Sequence, residues 1–129
     1  MLLVSYPNLR SLPVGAISTA EYAGFLSDYS EQLRSGLFGI QEEFKKMLSI
    51  QVVDLYPIFQ DILKRPKAYG FDPAVVQVAC AQGVYPSEGL PLSICDNPDK
   101  HLFWDIYHPT RVGHRIVASA FQKVLKGNK

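Results

Sequence analysis

The 129-residue sequence has no apolar run approaching the roughly 18 residues of a membrane span, so it predicts no transmembrane segment. It also lacks an excess of one charge. Thirteen Lys and Arg against twelve Asp and Glu leave a net charge of +1, too little to steer the chain toward nucleic acid or an anionic membrane. One local bias exists. The stretch 111–129 carries Arg111, Arg115, Lys123, Lys126 and Lys129 and no acid, a placement that the negative end of a C-terminal helix favours. The start, MLLVSYPNLR, has neither a basic leader region nor a small-residue cleavage site, and reads as a buried strand. Tryptophan occurs once, cysteine twice and histidine three times. With such groups scarce, their placement is informative: all three histidines fall between His101 and His114.

Length and a hydrophobic content of 47% fit a single globular domain. The two cysteines, Cys80 and Cys95, bracket CAQGVYPSEGLPLSIC, a segment rich in turn residues. A bridge would close a loop of about 15 residues and contribute roughly 3 kcal/mol; two unrelated thiols are the alternative, since connectivity is not written in sequence. The loop-like interior favours the disulfide and with it an oxidising compartment. Glu88 marks the tip of this loop as an exposed neighbourhood for a cut, or the loop as a lid.

Apolar patterning yields few elements. LLVSY at 2–6 is a short apolar run suited to a parallel strand. After a Pro/Gly-containing loop, Ser18-Thr-Ala-Glu21 predicts a capping box. Tyr22, Phe25, Leu26, Tyr29, Leu33, Ile40, Phe44, Met47 and Leu48 then trace a long amphipathic helix, weakened or broken near Gly36 and Gly39. IQVVDLY at 50–56 is the second strand, halted by Pro57, and a short helix follows through Ile58–Lys64. Thr110 is placed to cap a closing helix whose inner face carries Val112, Ile116, Val117, Ala120, Phe121, Val124 and Leu125, ending near Gly127. The order predicts a layered α/β protein. Two such strands cannot cover each other on both faces and edges, so residues 1–129 read as part of a domain.

The stretch FWDIYHPTRVGH at 103–114 gathers the scarce groups. In a nucleophilic hydrolase an imidazole takes a proton from serine while an acid holds its tautomer. Asp105, three residues before His108, can serve if the chain between them curls back. Pro109 keeps His108 out of helical geometry, and Thr110 anchors the turn. Three other readings stand beside this one. The pair also reads as a surface acid and a helix-entrance histidine without chemistry; Asp105, His108 and His114 offer donors for a metal; and His114 suits packing or hydrogen bonding. Phe103 and Trp104 are expected as core anchors, or as part of an acyl-binding wall.

On these residues the chain resembles the GDSL/SGNH esterase–lipase family, whose final block places an aspartate three residues before the catalytic histidine. VVDLYPIFQDILKRPKAYGF and the cysteine-bracketed loop are similar to the bacterial branch of lysophospholipases, haemolysin-like phospholipases and glycerophospholipid–cholesterol acyltransferases. LLVSYPNLRSLP resembles the strand and turn after the family's glycine and asparagine blocks. The resemblance implies part of a three-layer, flavodoxin-like fold with few parallel strands, a long helix and a C-terminal helix. It implies His108 as general base, Asp105 as its orienting acid, and no cofactor. Asp54 is expected to be structural.

The departures are as telling. The family's Gly-Asp-Ser block is absent from residues 1–129, as are the glycine and asparagine blocks that complete the oxyanion hole. Ser5, Ser11 and Ser18 lack the Gly-Asp flank. Each missing oxyanion donor is worth about 100- to 1000-fold in rate. The expectation is therefore the C-terminal portion of one SGNH hydrolase domain, secreted or periplasmic, acting on lipid esters together with the N-terminal, serine-bearing half. The alternative is a catalytically inactive remnant or interaction module.

Overall fold

The computed structural model describes residues 1–127 and is mixed α/β, as the element order predicts. Asn128 and Lys129, the latter counted in the basic stretch above, lie outside the described residues. Strand β1 (Leu2–Val4) pairs in parallel with β2 (Gln51–Val53), with Leu3 opposite Val52. Ser5 extends the ladder by donating its amide to the Val53 carbonyl at 3.0 Å.

Both strands are shorter than the patterning suggests, because polar chemistry ends them. The Ser5 hydroxyl donates to Asp54 Oδ1 at 2.7 Å and accepts from the Leu55 amide at 2.9 Å. Asp54 in turn accepts from the Tyr56 amide and caps helix α3 (Leu55–Lys64). The helix thus begins at Leu55 rather than Ile58. Pro57 does not halt a strand; it sits in the first helical turn, where its missing N–H costs nothing.

The first loop holds an unexpected short helix, α1 (Pro13–Ile17), opened by proline at its first position. A Cβ on Gly15 would lie 2.2 Å from the Arg10 carbonyl oxygen, so the turn admits only glycine. Helix α2 (Ala20–Phe44) runs 25 residues without a break at Gly36 or Gly39. Glycine there costs about 1 kcal/mol of propensity, too little to interrupt so long a helix. Its cap is Thr19, which accepts from the Tyr22 amide; Ser18 donates instead to the Val14 carbonyl, so the expected capping box does not form.

α2 buries Ala23, Leu26 and Ser30. Most of the expected apolar stripe is exposed, including Tyr22, Phe25, Tyr29, Leu33 and Ile40. Helix α4 (Arg111–Lys126) follows the expected face, with Ala120 buried and Val112, Ile116, Val117, Phe121 and Val124 packed on the core, but Leu125 points outward. Both α2 and α4 pack against β2. The core is centred on Val53, Phe59, Ile62, Leu102 and Phe103. A small parallel sheet with helices packed on it and a C-terminal helix is consistent with part of a three-layer α/β hydrolase-like fold. No helix of the described residues is long and apolar enough to cross a membrane.

Candidate active site

The stretch 102–110 folds back on itself just ahead of α4. Trp104 donates its amide to the His108 carbonyl at 2.7 Å and Thr110 donates to the Leu102 carbonyl at 2.9 Å, while Phe103 bridges to Pro109. Residues 105–107 form the tip. Asp105 stabilises the tip from inside, its Oδ1 accepting from the amides of Tyr107 at 2.8 Å and His108 at 2.7 Å. A carboxylate three residues before the histidine therefore builds its own turn, which then returns the imidazole to it. His108 Nδ1 lies 3.0 Å from Oδ1 and 2.9 Å from Oδ2.

An ionised carboxylate only accepts, so this contact places a proton on Nδ1; in the neutral ring the lone pair is then on Nε2. The Asp105 side chain is 7% exposed and that of His108 is 64% exposed. Burial pushes the Asp105 pKa up, but the amides of His108 and Tyr107 and the His108 ring outweigh it and hold the carboxyl below its ordinary value. Asp105 stays an acceptor, as orientation of the ring requires.

The turn stands on a firm base. Thr110 is 3% exposed; its hydroxyl donates to the His101 carbonyl at 2.9 Å and accepts from the Gly113 amide, capping α4. A Cβ on Gly113 would lie 2.7 Å from Pro109 Cβ, so the first turn of α4 abuts the residue after His108. His101, buried, uses its ring to donate to the Val78 carbonyl. His114 donates from Nδ1 to the Thr110 carbonyl at 3.0 Å and makes no hydrogen bond to Asp105 or His108 among the described residues. Among the described residues no group of three His, Cys, Asp or Glu side chains is placed to hold a metal ion. Phe103 is a core anchor, fully buried, but Trp104 is 38% exposed and is not.

Cys80 and Cys95 are joined. The loop between them opens as a small hairpin, β3 (Ala81–Gln82) against β4 (Ser93–Ile94). Its foot is bonded to the histidine-bearing stretch: Cys80 donates to the Phe103 carbonyl at 3.1 Å and Ala81 to that of Trp104 at 2.6 Å. Glu88 is not an exposed tip. Its carboxylate oxygens are buried without a hydrogen-bond partner among the described residues, beside a cavity shared with Pro13, Ala16 and Ile106. Glu88 itself is half-buried, while its neighbours Pro86, Ser87, Gly89 and Leu90 are exposed.

The Asp54 site is structural in its geometry. Burial raises its pKa, but two-pronged pairing with Arg34 and the Ser5 hydroxyl lower it further, holding it below the ordinary value. Arg34 also lies over the rings of Phe38 and Tyr56. Ser5 is fully buried and committed to Asp54, and Ser18 to Val14. No hydroxyl among the described residues bonds to His108 Nε2. Sequence reasoning missed Arg34 and Tyr85, whose hydroxyl donates to Asp105 Oδ2 at 3.2 Å; neither sits in a recognisable pattern.

A buried acid behind an exposed imidazole, on a turn ahead of the last helix of an α/β scaffold, has the form of the base side of a hydrolase triad. Comparison with known proteins points to the same class. No protein-family model matches the chain. It is 31% identical over 100 residues to the Arabidopsis thaliana protein GDSL esterase/lipase At2g40250, covering 74% of this chain and 27% of that protein. It is 32% identical over 108 residues to GDSL esterase/lipase At2g04570 (78% and 30%), and 30% identical over 93 residues to GDSL esterase/lipase EXL6 (70% and 25%), both of the same plant. The chain thus spans between a quarter and a third of the length of these relatives. The similarity supports the GDSL esterase/lipase family for this chain.

Proposed function

We propose that the chain supplies the acid–base part of a serine ester hydrolase acting on lipid esters, with His108 as general base and Asp105 as its orienting acid. The observation that carries this reading is the pairing of His108 Nδ1 with both carboxylate oxygens in a side chain that is otherwise largely exposed. In an acyl-enzyme mechanism, Nε2 takes the proton of the attacking serine and returns it to the leaving alcohol, then repeats the cycle with water. An alcohol in place of that water gives acyl transfer.

The nucleophile comes from an N-terminal, serine-bearing portion of the same domain. The surface it would cover is continuous: the edge of β1 that faces away from β2, the exposed Val4 and Tyr6, and the apolar face of α2 at Tyr29, Leu33 and Ile40. An apolar groove of about 330 Å³ beside Tyr107 and Pro109 adjoins the same edge. Burying that much apolar side-chain surface favours association with the rest of a core.

Within the family, the resemblance of residues 52–71 and of the cysteine-closed loop favours lysophospholipid or phospholipid acyl esters, in the manner of the bacterial branch. The disulfide favours a secreted or periplasmic setting. The test is hydrolysis of a lysophospholipid and of a short acyl ester by the protein assembled with its serine-bearing portion. Turnover that falls by at least a thousandfold in His108→Ala is expected. Turnover that survives the substitution would sink the assignment.

A further inference from the structure

We propose that Tyr85 is a positioning residue for Asp105, held in place by the disulfide-closed loop 80–95; the proposal rests on the Asp105–His108 reading given above. Asp105 Oδ1 is occupied by two backbone amides of its own turn. Oδ2 receives only the His108 ring and the Tyr85 hydroxyl. Tyr85 is thus the one group outside the turn that hydrogen-bonds this carboxylate among the described residues, and it fixes the plane in which the carboxylate faces the imidazole.

The placement follows from the loop's construction. Hydrogen bonds from Cys80 and Ala81 to the carbonyls of Phe103 and Trp104 set the hairpin alongside the residues that lead into Asp105. Cys95 closes the other side, through the disulfide and through its amide to the Cys80 carbonyl at 2.8 Å. Tyr85, within the closed loop, then meets the tip twice: its hydroxyl on Asp105, and its ring edge-on to Tyr107 at 5.4 Å between centroids. Burial first, and then the charge and hydrogen bond of Asp105, raise the Tyr85 pKa, so the phenol keeps the proton it donates. The titratable groups facing Asp105 are His108 from its own turn and Tyr85 from the loop; Tyr107 meets the carboxylate through its backbone amide, and its phenol and Glu88 act on Tyr85. Tyr85 touches no reacting atom; it acts through Asp105.

The experiment is carbon-detected titration of the Asp105 carboxyl by NMR in the protein assembled with its serine-bearing portion, comparing wild type, Tyr85→Phe and the double variant Cys80→Ala/Cys95→Ala. Tyr85→Phe removes one oxygen and is expected to keep the amide spectrum while moving the Asp105 midpoint upward, because the charged form has lost a donor. Opening the loop is expected to move it the same way, and adding Tyr85→Phe to the open loop to move it no further. An unmoved midpoint in Tyr85→Phe overturns the proposal. Additive shifts in the triple variant overturn the part played by the loop. In the protein assembled with its serine-bearing portion, Tyr85→Phe is expected to lower kcat about tenfold with KM unchanged, and a fall below about twofold counts against it. Failure of the underlying reading looks different: turnover would survive His108→Ala while the Asp105 midpoint still responded to Tyr85→Phe.

Discussion

Replacing Thr110 by valine should weaken the protein far more than an isosteric change on a helix end would suggest. The valine keeps the shape of the side chain and removes only the hydroxyl. That hydroxyl does two things in a site that is 3% exposed: it caps α4 by accepting from the Gly113 amide, and it satisfies the buried His101 carbonyl at 2.9 Å. Loss of a cap costs about 1 kcal/mol. A buried carbonyl stripped of its partner costs about 1–2 kcal/mol more. Thr110→Val should therefore lose about 2–3 kcal/mol in urea unfolding. Thr110→Ser keeps both hydrogen bonds and loses one methyl, for about 0.8 kcal/mol. The comparison separates polar anchoring from packing. If the two variants unfold together, or valine costs less than about 1 kcal/mol, then the hydroxyl does not anchor the turn that carries Asp105 and His108.

Gly113→Ala would drive a Cβ to within 2.7 Å of Pro109; a cost of about 1–3 kcal/mol is expected by denaturation, together with a changed His108 ring resonance, and an unchanged spectrum would contradict the close approach. Gly39→Ala meets nothing within 4 Å, so it should raise stability by about 0.5–1 kcal/mol in thermal unfolding; destabilisation would mean that α2 is interrupted there after all. Asp54 holds its charge in the folded state below the ordinary value of 3.8 because burial is outweighed by Arg34 and Ser5. The unfolded chain therefore binds a proton first as pH falls. The stabilisation from Asp54 is complete above about pH 3.8 and disappears as pH drops through the lower folded value. In Asp54→Asn, the loss of urea resistance across that acid range should shrink, and an identical pH profile would refute the pairing.

The parts of the site that are local in sequence were legible in it. Asp105, His108 and Thr110 lie within six positions, and their mutual contacts follow from a turn that a carboxylate, a proline and a cap can build unaided. The cysteine pairing was legible for a similar reason, since the segment between Cys80 and Cys95 can do little but loop. The strand ends were not. Ser5 and Asp54 are 49 residues apart, and only their contact shows that the chain leaves the sheet at Val53 and enters a helix at Leu55. Tyr85 was hidden for the same reason. The stripe on α2 differs again: Tyr22, Phe25 and Tyr29 carry the periodicity of a core face, yet among the described residues nothing buries them and they stack on one another at 6.0 and 5.9 Å. Periodicity reports that a face is apolar and is silent on what covers it.

The decisive measurement is intact mass spectrometry after treatment with a serine-reactive fluorophosphonate. The sample is the protein assembled with its serine-bearing portion, as wild type and as His108→Ala. The geometry of Asp105 and His108 predicts one adduct, on the serine-bearing portion and outside residues 1–129, formed in the wild type and lost in the variant. An adduct on a serine within residues 1–129, or labelling that persists without the His108 imidazole, would contradict the assignment of His108 as the base.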